Sequence, residues 1–205
     1  MSQRIKHLLN NAIKESQLTV TQESEVDGAV KRELEYTFYG QINNLSDLGL
    51  ASKKEKHEQH GIIIDKEKGF KARIRSINDE QHILTTKIKK EGVKGSLETE
   101  CLISKDMFTS LKLISQDGYI KTRYYFPIKD SELIWEVDVF MNDLGEVHDW
   151  VKLDLEVPSQ DTPLPKLPFD FKQIISRQSK DYTDEERQIV DRLWNKEWVS
   201  LSERK

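Results

Sequence analysis

The chain has 205 residues, enough for one domain or one domain with appendages, and its 32 Lys and Arg against 36 Asp and Glu give a formal charge of −4. That balance excludes a generally basic nucleic-acid-coating protein, and the apolar runs are far short of the roughly 20 residues needed to span a bilayer. Lys6 and His7 interrupt Ile5, Leu8 and Leu9, so no secretory core is read there, and the single cysteine, Cys101, forms no internal disulfide; a cytoplasmic protein without a membrane partner is expected.

Residues 4–15 place Ile5, Leu8, Leu9, Ala12 and Ile13 at helical spacing, which predicts a short amphipathic helix within an N-terminal extension, residues 1–29. A single domain is expected over 30–205. Its hydrophobic period changes to two, and segments 30–39, 70–77, 83–90, 96–104, 119–127, 132–141 and 149–157 read as strands rich in β-branched and aromatic residues. Ile62, Ile63 and Ile64 add an eighth. Residues 44–59 are polar and read as a helix; residues 105–114, with Met107, Phe108, Leu111 and Ile114 on one side, form a clearer one. Beyond Pro158, a linker carries Pro163, Pro165 and Pro168, which continue neither helix nor strand. Thr183 and Glu186 make a capping-box pattern, and Ile189, Val190, Leu193, Trp194 and Trp198 an apolar stripe, predicting a C-terminal helix. The expected fold class is α+β: an eight-stranded antiparallel β-sheet that closes into a barrel, with peripheral helices.

The strand charges carry the functional information. Residues i and i+2 of a strand share a face. Glu33 with Glu35, Arg73 with Arg75, Lys87 with Lys89, Glu98 with Glu100, Lys121 with Arg123, Glu136 with Asp138, and Asp154 with Glu156 are all such pairs, on seven different strands. Any one pair is explained by a wet sheet face. A wet face, however, accepts Ser, Thr, Asn and Gln as readily, and here the opposite faces are apolar enough to need covering by the helices. If the sheet curls with the helices outside, the charges line the interior, where they must pair, hydrate or meet a ligand. Carboxylates suit Mg²⁺ or Mn²⁺, and Lys and Arg suit phosphate oxygens, so a lumen holding both fits a metal-bound polyphosphate and phosphoryl transfer.

The order of these pairs resembles the CYTH superfamily, the triphosphate tunnel metalloenzymes, from about Arg32 to the C-terminus. The best stretches are RELEYTF (32–38), FKARIRS (70–76), ILTTKIK (83–89), IKTRYYF (120–126), LIWEVDVF (133–140) and LDLEVPSQD (153–161). The resemblance implies an eight-stranded tunnel that binds a small-molecule triphosphate or nucleotide with Mg²⁺ or Mn²⁺ and hydrolyses it. It implies metal ligands at Glu33, Glu35 and Glu156, with Asp154 the weaker half of the last pair. Triphosphate binders are implied at Arg73, Arg75, Lys87 and Arg123, with Lys121 in addition, and catalysis through Glu33, Glu35, Lys87 and Arg123. Glu98, Glu100, Glu136 and Asp138 are implied to line the tunnel, holding a second metal or orienting the basic residues. The chain departs from the family's Glu-x-Glu-x-Lys at Thr37, which removes one positive contact to substrate, and has Gly95-Ser96 where an Arg is usual. The extension before the first strand is expected to cap the tunnel, pack on the barrel or mediate a homodimer.

The rival readings are a protein that captures nucleotide or polyphosphate without hydrolysis, a class IV-type adenylyl cyclase, and removal of phosphate from an RNA 5′ end, which the modest basic charge disfavours. His57-Glu58-x-His60 lacks the spacing that puts two ligands on one helix face, so a solvated helix or loop is expected. Cys101 is out of phase with Glu100 and is expected as an inert thiol in the outer apolar layer.

Overall fold

The computed structural model describes residues 31–65, 67–89, 95–115, 117–141, 147–159, 161–177 and 181–194. The helix expected at 4–15, the rest of the extension, and the end of the C-terminal helix with Trp198 lie outside the described residues.

Ten strands form one sheet: β1 (Lys31–Glu33), β2 (Glu35–Ile42), β3 (Lys53–Asp65), β4 (Phe70–Ile77), β5 (Gln81–Ile88), β6 (Ser96–Leu102), β7 (Asp117–Pro127), β8 (Ile134–Met141), β9 (Val147–Glu156) and β10 (Phe171–Ser176). All neighbours are antiparallel, in the order β1-β6-β5-β4-β3-β7-β8-β9-β2-β10. The hydrogen-bonded ladder is thus open. Its two ends are nevertheless one piece of chain, because Leu34 alone separates β1, which pairs with β6, from β2, which pairs with β9. The sheet is drawn round by covalent continuity, and the Leu34 carbonyl accepts from the Val157 N–H at 2.9 Å across the junction. Counting β1 and β2 as one strand, β3 to β9 complete the eight-stranded tunnel, and β10 is an added strand on β2.

Side chains alternate as the ladder requires. The outward apolar residues of β2, β8 and β9 (Phe38, Trp135, Val137, Val139, Val151, Leu153, Leu155) form the largest core. The proline-bearing segment and β10 cover it with Leu167, Phe169, Phe171 and Ile174, and Trp135 Nε1 donates to the Lys166 carbonyl at 3.0 Å. Outward Ala72, Ile74 and Leu84 pack under Phe108 and Leu111 of α1 (Lys105–Lys112), which Ser104 caps by accepting from the Met107 N–H. The second helix, α2 (Asp184–Trp194), begins with the predicted capping box: the Glu186 N–H donates to Thr183 Oγ1 at 3.1 Å, and the Thr183 N–H to Glu186 Oε2 at 2.9 Å. Its Val190 and Leu193 pack on Tyr39, Phe140, Trp150 and Ile175. Those four residues pair in register with Lys152, Lys121, Gln41 and Tyr39, so they belong to the charged, inner face. α2 therefore covers the inner face at one end of the tunnel instead of lying on the outer wall.

Three expectations are corrected. Residues 44–59 are not a helix: Leu45–Leu50 make a 3₁₀ turn capped by Asn44, and Lys53 opens the 13-residue strand β3, of which Ile62–Ile64 are only the end. β10 is a strand not read from the sequence, since it is short and follows a proline-rich stretch. Cys101 faces outward as expected but is exposed, not packed in a core.

Candidate active site

The paired registers put the charged residues on one inner wall. Arg73 opposes Thr85 and Lys71 opposes Lys87 across β4–β5; Thr85 opposes Glu100 and Lys87 opposes Glu98 across β5–β6. In this half of the wall, Arg73 donates to Glu98 at 3.2 Å and Arg75 to Glu100 at 2.8 Å; Thr85 shares the same Glu100 oxygen. Lys87 bridges Glu33 of β1 and, at 3.3 Å, Glu98. Burial works against the Lys87 ammonium, but the hydrogen bond it donates to Glu33 and the charge of that carboxylate hold the pKa above the usual lysine value. Arg75 is pushed the other way, by burial and then by Arg73 beside it.

The other half is built on β7, β8, β9 and β2. Asp138 is the hub: Arg123 donates to both its oxygens at 2.7 and 2.9 Å, and Lys121 donates to it as well. Arg123 also pairs with Glu136 and lies 3.9 Å from Asp154. Burial opposes charge on Arg123 and Asp138, yet their attraction overrides it, holding the guanidinium well above and the carboxyl well below their ordinary values. Lys121 loses that contest: burial first and Arg123 second push it down to about 7. Glu136 is raised, chiefly by burial.

The structure adds residues that the sequence pattern did not single out. Lys152 shares the inner face with Asp154, pairs with it, and lies 4.0 Å from Glu35; the i, i+2 rule could have found it. Thr37, where the resemblance expects a lysine, is buried and donates from Oγ1 to Asp154 at 3.0 Å. β3 contributes Glu55, His57 and Gln59, opposite Arg123, Lys121 and Tyr119. His57, expected in a solvated helix or loop, is only 1% exposed. Its neighbours explain the correction, for a strand between β4 and β7 turns every second residue into the tunnel.

The carboxylates expected to hold metal are brought together only in part. Glu35 and Glu156 are direct partners across β2–β9, with Thr37 and Asp154 the next inward pair. Glu33 is engaged by Lys87, Asp154 by Lys152 and Thr37, and Glu156 is exposed. Among the described residues, no three His, Cys, Asp or Glu form a ready-made cage. Burial, then Asp154, push the Glu35 carboxyl up to about 7, against the pull of Lys152. An all-oxygen donor set around a carboxyl that burial and a like charge push up fits a hard divalent ion, whose positive charge would favour the ionised form.

No family model matches the chain, and no curated protein matches it. Its likeness is to solved structures. The inorganic triphosphatase NE1496 is 18% identical over 77% of this chain and 94% of its own, with a TM-score of 0.44. HpAC1 from Hippeastrum, named as an adenylyl cyclase with a dominant triphosphatase activity, is 13% identical over 62% of this chain and 80% of its own, with a TM-score of 0.42. A Bacillus halodurans protein named as an adenylate cyclase is 14% identical over 65% of this chain and 83% of its own, with a TM-score of 0.44.

Proposed function

We propose that this protein is a divalent-metal-dependent hydrolase of a triphosphate group carried by a small molecule. The observation that carries the reading is a pair of unused donors: Arg73 Nε and Arg75 Nε are buried on the inner wall and have no hydrogen-bond partner among the described residues. A buried guanidinium N–H without an acceptor is costly and points to a ligand that supplies one. Phosphate oxygens match the guanidinium fork, and a polyanion would also compensate Lys121.

In this reading Arg73, Arg75 and Lys87 bind one part of the triphosphate, and Lys121, Arg123 and Lys152 the other. Together they neutralise charge that grows on the phosphoryl oxygens in the transition state. The carboxylates now paired with them keep each cation pre-oriented, so little reorganisation is needed when substrate enters. Glu35, with Glu33, Asp154 and Glu156 around it, would hold Mg²⁺ or Mn²⁺. A divalent ion there supplies Lewis-acid charge to a phosphoryl oxygen.

The test is phosphate release from tripolyphosphate, ATP, GTP, thiamine triphosphate and triphosphorylated RNA with Mg²⁺ or Mn²⁺. Glu35→Gln and Arg75→Ala are expected to abolish turnover while leaving the protein folded. The glutamine is close in shape to the carboxyl, which burial and then Asp154 push up to about 7. A folded Glu35→Gln protein with undiminished turnover sinks the reading. Capture without hydrolysis is a second reading, favoured by Thr37, whose hydroxyl is spent on Asp154 in place of a cation. Saturable binding of every compound with no release of phosphate, pyrophosphate or cyclic nucleotide would identify it.

A further inference from the structure

β3 brings into the tunnel a histidine to which the reading above assigns no role. His57 is fully buried, and its Nε2 lies 3.4 Å from Glu55 Oε2. Glu55 also accepts from Tyr125 Oη at 2.5 Å and pairs with Lys53 at 2.7 Å. Burial opposes its charge, but these donors hold the carboxyl down to about 2, so Glu55 is an acceptor only. The tautomer follows from that network: Nε2 carries the proton, and Nδ1 carries a lone pair. Nδ1 is buried and has no partner among the described residues. Burial, then Lys121 and Arg123 from β7 and Arg75 from β4, keep the ring neutral, pushing its pKa down to about 4 against the Glu55 hydrogen bond. The residue across on β4 is Ile77, which has no charge to add.

A neutral imidazole with one nitrogen held by a carboxylate, the other buried without a partner, and three basic side chains acting on the ring is the arrangement of a base. The cations that deny His57 a proton are the groups that would bind phosphate. A polyanion seated on them cancels their field at the ring, so proton affinity rises only when substrate is present. We propose that His57, oriented by Glu55, is the proton acceptor of the tunnel, taking through Nδ1 the proton of the water that attacks the bound triphosphate. The water oxygen forms a bond to the terminal phosphorus, and its proton passes to Nδ1. The bond from phosphorus to the bridging oxygen breaks, with its electron pair leaving on the departing diphosphate oxygen. The imidazolium, stabilised by Glu55 at Nε2, then gives the proton to the released phosphate. This inference rests on the triphosphate reading.

The experiment is a ¹⁵N imidazole NMR titration of the full chain with the imido analogue of tripolyphosphate and Mg²⁺ near pH 7, with calorimetry to measure binding. His57 is expected as the neutral Nε2–H tautomer in the free protein, and its Nδ1 signal is expected to move toward the protonated position as the analogue binds. His57→Gln, which keeps an amide for Glu55 but removes the basic nitrogen, is expected to lower kcat by about 10²-fold or more with little change in KM. Saturable analogue binding with both His57 nitrogens unmoved, or His57→Gln within a few-fold of the native kcat, overturns the inference and leaves the triphosphate reading standing. No binding of the analogue at all overturns that reading and this inference with it. If His57→Gln does not fold, the titration of the native protein decides alone, its signals sorted by replacing His7, His60, His82 and His148.

Discussion

Asp138 and Glu35 are both inner-wall carboxylates, yet their surroundings assign them different work. Asp138 is 1% exposed and holds Arg123 and Lys121 together. Replacing it with Asn leaves two buried cations under-compensated, and a loss of about 3–5 kcal/mol in urea unfolding is expected. Glu35→Gln should cost far less stability while stopping turnover, so the two variants separate framework from chemistry. His57 gives a pH signature. Burial, then Lys121 and Arg123, push its pKa in the folded protein down to about 4 from the ordinary histidine value of 6.5. Between those values the unfolded chain binds a proton that the folded protein refuses, so this contribution is complete above pH 6.5 and is lost as the pH falls toward 4. The full shift corresponds to at most about 3 kcal/mol. The difference in unfolding free energy between pH 7.5 and 5 should therefore be smaller in His57→Gln than in the native protein; equal differences would contradict it.

At the scale of elements, what could be read from the sequence depended on whether a face carried contrast. β4, β8 and β9 alternate charge with apolar residues, and each was legible with its inward charges: Arg73 and Arg75, Glu136 and Asp138, Asp154 and Glu156. β3 has no such contrast over residues 53–60. Lys53, Glu55, His57 and Gln59 face the tunnel, while Lys54, Lys56, Glu58 and His60 lie on the other side, with Glu58 held by Lys112 of α1. A strand polar on both faces has no hydrophobic period, so length and polarity pointed to a helix. That lapse hid His57. The capping box of α2 was legible because it is local chemistry, two side chains bonding two backbone groups three residues apart. Thr183→Ala should cost about 1 kcal/mol, seen as faster amide exchange through the first turn of α2. The split of the first strand at Leu34 had no local signal, because the partners of its two halves, β6 and β9, lie far apart in the chain.

The described strands make a curled sheet whose charged lumen is assembled from every strand of the wall, so no element alone contains the candidate site. The resemblance carried by the charge pairs anticipated this arrangement; which cation meets which carboxylate depended on register, which pairing across strands sets and linear order does not. Arg73 meets Glu98 on β6, and Lys87 reaches Glu33 on β1, although neither partner adjoins it in sequence. The position of α2 over Tyr39, Phe140 and Trp150 has a consequence for traffic. A sleeve open at both ends lets a polymer be threaded and cut anywhere along its length, whereas a thimble admits only a tip. If the protein is the triphosphatase proposed, α2 over one end of the described wall leaves cargo and products to pass by the other, so a long polyphosphate should be shortened from its termini, one orthophosphate at a time. The same polymer with both ends esterified should be left whole.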